Sequence, residues 1–113
     1  MEAKVLKNAD DIYLIELSGT MDLYSSNQLK ELIMKMLNNK IQRFIISLKG
    51  VKIVNSAGIG ALIYISSTLK KMNCPLVIIV PEGPVMNALE LTRIKSYFAI
   101  ASSLEEAISL TTK

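Results

Sequence analysis

Val51-Lys52-Ile53-Val54-Asn55-Ser56-Ala57-Gly58-Ile59-Gly60-Ala61-Leu62-Ile63 carries a short apolar segment through a serine and two spaced glycines into an apolar pattern of helical period. A serine at such a junction is a natural N-cap, because its hydroxyl accepts a hydrogen bond from amides that the first helical turn leaves free. Gly58 and Gly60 fall inside that turn, where each costs the helix about 0.8 to 1 kcal/mol relative to alanine. Close approach of another surface to the bare backbone compensates such a cost, and two surfaces qualify. One is a docking partner, which makes the start of this helix a docking site; the other is the sheet beneath the helix, which would leave the glycines with packing alone. Working outward, Phe44-Ile45-Ile46-Ser47-Leu48 before this stretch and Leu76-Val77-Ile78-Ile79-Val80 after it are short and almost continuously apolar, as in strands covered on both faces. A strand, a helix over about 57–72 and a second strand form a crossover with the strands parallel. Phe44, Ile46, Leu48, Val77 and Ile79 are the expected core, and Ser56 is expected to be exposed.

The flanks complete an α/β domain. Ala3–Lys7 alternates like an edge strand, and Asn8-Ala9-Asp10-Asp11 turns the chain into Ile12–Leu17, giving an antiparallel hairpin. Residues 18–24 read as a loop, and Ser25-Ser26-Asn27-Gln28 as a capping box opening a first helix. Its stripe is Leu29, Leu32, Ile33, Met36 and Leu37, with Asn38-Asn39 as the stop. Pro84 suits the first position of a helix carrying Val85, Ala88, Leu89 and Thr92. Tyr97–Ile100 reads as a short strand, and Ser103-Leu104-Glu105-Glu106 as a second capping box before a terminal helix with Ala107 and Ile108 inward. The expected order is β-β-α-β-α-β-α-(β)-α, a mixed sheet with helices packed on it. There is no internal repeat or linker.

Composition narrows the function. At 113 residues with 50% hydrophobic content, residues 1–113 make one domain able to bury its own core. No histidine and a single cysteine, Cys74, exclude His-dependent triads, Cys/His zinc sites and an internal disulfide. No catalytic, metal-binding or cofactor-binding residue is expected; Ser56 has no histidine base, and Lys49 and Lys52 stand without a supporting motif. The net charge of +3 comes from lysines and arginines scattered along the chain, without the dense tract that marks direct nucleic-acid binding. No signal-peptide core follows Met1, and no apolar run reaches the ~20 residues of a membrane span, so a cytoplasmic protein without membrane insertion is expected. Gly58–Ile63 is not a dinucleotide fingerprint, because its last position is isoleucine and no suitably placed acid follows.

Several motifs together resemble the anti-sigma factor antagonist family, the bacterial STAS domain. Gly19-Thr20-Met21-Asp22-Leu23-Tyr24-Ser25-Ser26 is similar to its G-x-[LIM]-D-x-x-[ST] loop, Leu48-Lys49-Gly50-Val51 to its L-x-x-V, and Asn55-Ser56-Ala57-Gly58-Ile59-Gly60 to its D-S-[ST]-G-[LI]-G signature. Leu89-Glu90-Leu91-Thr92, Tyr97-Phe98 and Ser103–Ala107 resemble its C-terminal part. The resemblance implies a partner switch. The unmodified protein binds an anti-sigma factor that is also a serine kinase, phosphorylation of the signature serine breaks the complex, and a serine phosphatase resets it. Ser56 matches that serine. Asn55 stands where the signature has an acid, Ser47 where an acid often ends the preceding strand, and Ala57 where a second hydroxyl residue is usual. Asp22, Tyr24, Asn55, Ser56, Ala57, Gly58 and Ile59 are the expected partner-binding residues.

Local readings stay beside these. Ser56 also serves as a plain N-cap, and Asp22 as an Asx-turn. Met36 fills core, while Met21 and Met86 are candidates for surface contacts. Ile59 and Ile63 are covered by a neighbouring helix or form an exposed patch. The alternative function is a STAS module that is not phosphorylated and that binds a nucleotide or acts as a scaffold in a transport or signalling complex.

Overall fold

In a computed structural model of the chain, which describes residues 1–8 and 10–112, five strands form one mixed sheet with helices on both faces. Ala9, inside the turn expected at 8–11, and Lys113 lie outside the described residues. Strand β1 (Glu2–Lys7) pairs antiparallel with β2 (Tyr13–Met21). Beyond it β3 (Phe44–Val54), β4 (Leu76–Ile79) and β5 (Ile100–Ala101) follow in sequence order, each parallel to its neighbour. Helices α1 (Leu23–Asn38), α2 (Ser56–Lys71), α3 (Pro84–Leu91) and α4 (Leu104–Thr111) each follow one of the parallel strands. All four therefore begin at the same end of the sheet, where β2 to β5 finish.

Alternation along the strands divides the core in two. Ile15, Leu17, Phe44, Ile46 and Leu48 face a large cluster with Leu29 and Ile33 of α1, Leu62, Ile65 and Leu69 of α2, and Val85 and Leu89 of α3. Ile45, Val77, Ile79 and Ala101 face a smaller one beneath α4, closed by Ala107 and Ile12. Phe44, Ile46, Leu48, Val77 and Ile79 are all at most 2% exposed, as expected. Ile63 is partly buried against the larger cluster, so the apolar excess on α2 is mostly absorbed by packing.

Several boundaries move. The stretch read as a loop from 18 to 24 continues β2 to Met21, whose side chain is fully buried, so it is core and not surface. Met86 is half-buried against the larger cluster. Helix α1 starts at Leu23 with Asp22 as its N-cap, and Ser25 is the third helical residue of that box and not the cap. Strand β3 runs six residues past Leu48. Its ladder with β2 absorbs two register shifts, between Glu16 and Ser18 and between Gly19 and Thr20, and such bulges break alternation. Lys52 and Ile53 are consequently both exposed. The strand expected at 97–100 is a 3-10 turn, Lys95–Tyr97, with β5 only at Ile100–Ala101. Pro84 does open α3, and Ser103 does cap α4 through the Glu106 amide at 3.2 Å. The Glu106 carboxylate takes the Ser102 amide at 2.7 Å, one residue before the position a reciprocal box requires.

Candidate functional site

Strands β2 and β3 end side by side, and that pairing builds the site. Met21 lies opposite Val54 in the ladder, and the Asn55 amide donates to the Met21 carbonyl at 3.2 Å. The next residue on each strand, Asp22 or Asn55, caps the helix that follows. Asp22 Oδ1 accepts the Ser25 amide at 2.9 Å, and Ser25 Oγ accepts the Asp22 amide at 3.0 Å. Asn55 Oδ1 accepts the Gly58 amide at 3.1 Å. Asn55, not Ser56, is therefore the N-cap of α2, and Ser56 is its first helical residue. This frees the serine. Its side chain is exposed, and among the described residues no hydrogen bond to its hydroxyl is formed. Ser25 and Ser26, the serines at the start of α1, are 2% and 1% exposed.

The two glycines face opposite ways. A Cβ on Gly58 would lie 2.9 Å from both Met21 Cβ and Val54 Cγ1 and 3.0 Å from the Met21 carbonyl. Gly58 is buried, so it lets α2 sit on β2 and β3 and belongs to no exposed surface, contrary to the expectation that it forms part of the docking patch. A Cβ on Gly60 would meet nothing within 4 Å. Gly60→Ala should then raise unfolding stability by about 0.8 to 1 kcal/mol in urea titration, and a loss would show that the open side is occupied.

The strand ends and the start of α1 carry exposed apolar side chains among polar ones. Tyr24 is 73% exposed, Leu23 66% and Ile53 59%; Ile53 lies opposite Thr20, one step before the Met21–Val54 pair. Ala57 and Ile59 are half-buried, while Asp22, Asn55 and Lys52 are exposed. Of the residues expected from sequence, Asp22, Tyr24, Asn55, Ser56, Ala57 and Ile59 thus belong to two adjoining helix starts. Leu23 and Ile53 join them without having been expected.

The hydrogen bonds from the Ser25 backbone and side chain hold the Asp22 carboxyl below its ordinary pKa. A depressed folded-state pKa contributes stability above the unfolded value, lost as pH falls through the folded one. Wild-type stability should thus fall below the ordinary carboxylate range partly through Asp22, and in Asp22→Asn, which keeps a capping oxygen, that part of the acid dependence should vanish from pH-dependent urea midpoints. Asn55→Ala should cost α2 about 1 kcal/mol in the same measurement. Cys74 is buried, and burial pushes its thiol pKa up, which suits a packed side chain and not a nucleophile. Among the described residues no three His, Cys, Asp or Glu side chains gather as metal ligands, and no helix is long and apolar enough to cross a membrane.

The arrangement is that of a small α/β domain whose surface chemistry gathers where strand ends and helix starts meet, with the Ser56 hydroxyl exposed at the first residue of α2. Residues 3–107 match the sequence model of the STAS domain, and the chain belongs to the STAS domain family. Solved structures share the fold across nearly the whole chain. An anti-sigma factor antagonist from Mycobacterium paratuberculosis superposes with a TM-score of 0.85 at 18% identity, covering 99% of this chain and 96% of that one. RsbS of Moorella thermoacetica gives 0.79 at 22% identity over 99% and 96%. The Bacillus cell fate determinant SpoIIAA, in its phosphorylated form, gives 0.72 at 16% identity over 96% and 97%.

Proposed function

We propose that this protein is a cytoplasmic anti-sigma factor antagonist that binds an anti-sigma factor with serine kinase activity and is released by phosphorylation of Ser56, a serine phosphatase restoring the binding form. The observation that carries this reading is an exposed, unbonded hydroxyl on the first residue of α2, beside the exposed apolar side chains Leu23, Tyr24 and Ile53. A helix start tolerates a phosphate, because its free amides and dipole favour negative charge. An apolar partner pressed against the same spot would have to desolvate that charge. Modification therefore removes the partner without unfolding the domain. Asp22, Tyr24, Asn55, Ala57 and Ile59 supply the rest of the contact, with Leu23 and Ile53; Gly58 contributes only by seating α2 on the sheet.

Incubation with the cognate kinase and ATP, followed by intact-mass measurement, should add one phosphate, and Ser56→Ala should abolish it. No addition to the wild type, with retained binding of a nucleotide or a transport complex, would replace the switch by the scaffold reading.

A further inference from the structure

The start of α2 is not independent of the start of α1. Met21 and Val54 are ladder partners, the Asn55 amide bonds the Met21 carbonyl, and the residues that cap the two helices leave the sheet next to one another. The caps differ in charge. Asn55 is neutral, whereas Asp22 holds its turn as a carboxylate, with Oδ1 2.9 Å from both the Ser25 amide and Ser25 Oγ. The turn held in this way carries Leu23 and Tyr24, the two most exposed apolar side chains of the candidate docking face. Ser25 and Ser26 behind them are buried.

We infer that a negative charge on Ser56 acts on α1 as well as on the partner: it opposes the Asp22 carboxylate, weakens the cap and loosens the turn that presents Leu23 and Tyr24. The inference deepens the switch reading and rests on Ser56 as the modified residue. Modification would thus both add a charge to the docking face and blur its apolar part. The charged group that bears on Asp22 besides Ser56 is the amino group of Met1, which favours its ionised form. It attenuates the repulsion. Salt attenuates it further, since the screening length is about 10 Å at 0.1 M and about 3 Å at 1 M.

The test compares wild type, Ser56→Glu, Ser56→Gln and Ser56→Glu/Asp22→Asn by NMR, reading hydrogen exchange at the Ser25 amide and the titration of the carboxyl introduced at position 56, which loses its proton while Asp22 is already ionised. The Asp22 charge should raise the midpoint of that carboxyl by about 0.3 to 1 on the pH scale relative to the Ser56→Glu/Asp22→Asn protein, and the two charges together should speed Ser25 exchange about two- to fivefold in the glutamate variant at neutral pH. The glutamine variant should match wild type, and 1 M salt should erase most of the difference. Asp22→Asn retains a cap without the charge, so adding Ser56→Glu to it should leave Ser25 exchange unchanged. An identical midpoint for the position-56 carboxyl with and without Asp22→Asn would overturn the inference, as would accelerated Ser25 exchange that persists in Asp22→Asn. No kinase enters this experiment. Failure of Ser56 to be phosphorylated would therefore remove the switch reading while leaving the coupling of the two helix starts measurable, and absence of coupling would leave the phosphosite untouched.

Discussion

Gly58→Ala should lower unfolding stability by about 1 to 3 kcal/mol, the usual cost of forcing extra atoms into a packed interior, and Gly58→Leu should lower it further. The added Cβ would lie within about 3 Å of three atoms, and one of them, the Met21 carbonyl, is backbone in the last step of the β2–β3 ladder. Backbone cannot swing aside as the tip of a side chain can. Relief requires α2 to lift from the strands, which would also disturb the Asn55 bond to Met21 and the position of Ser56. Urea titration of Gly58→Ala beside Gly60→Ala gives the sharpest comparison, because the same substitution two residues apart should change stability in opposite directions. A neutral Gly58→Ala would mean that α2 stands off the sheet farther than the packing of Met21 and Val54 allows.

The same pair shows where sequence reading stops. Residues two apart on a helix point about 200° apart, so of Gly58 and Gly60 one must face inward, yet nothing local in the sequence states which. The strand ladder decides it. Both N-caps have the same character. Asp22 and Ser25 are both competent caps, as are Asn55 and Ser56, and only the point at which the Met21–Val54 pairing ends selects Asp22 and Asn55. The central strands were legible because Phe44–Leu48 and Leu76–Val80 are apolar on both faces. The continuation of β3 through Lys49, Gly50 and Lys52 was not, since its bulges replace alternation with two adjacent exposed residues. Met21 sits among polar loop formers in sequence and in the core in space. Leu23 reads as part of a loop and Ile53 as part of an apolar segment, and neither reading marks the two as exposed apolar surface. Recognising them needs the geometry of the sheet's end.

The second large effect is expected at Ser56. In the free protein a phosphate there stays in water, where the α2 amides favour it and the Asp22 carboxylate opposes it, so stability should change little. In the complex it must be desolvated against a surface fitted to a neutral hydroxyl. A working switch requires about a hundredfold loss of affinity, ~2.8 kcal/mol, and an uncompensated buried charge costs that much or more. Ser56→Ala should keep the partner and resist the kinase. Ser56→Asp should fold and bind poorly, with a partial effect because aspartate carries less charge than phosphate.

Calorimetric titration of the cognate anti-sigma factor into unmodified, Ser56-phosphorylated and Ser56→Ala protein, with the urea midpoint of each measured alongside, tests the account most directly. The account predicts similar affinity for the first and third, about a hundredfold weaker binding for the second, and closely similar stability for all three; equal affinity of the phosphorylated and unmodified proteins would contradict it.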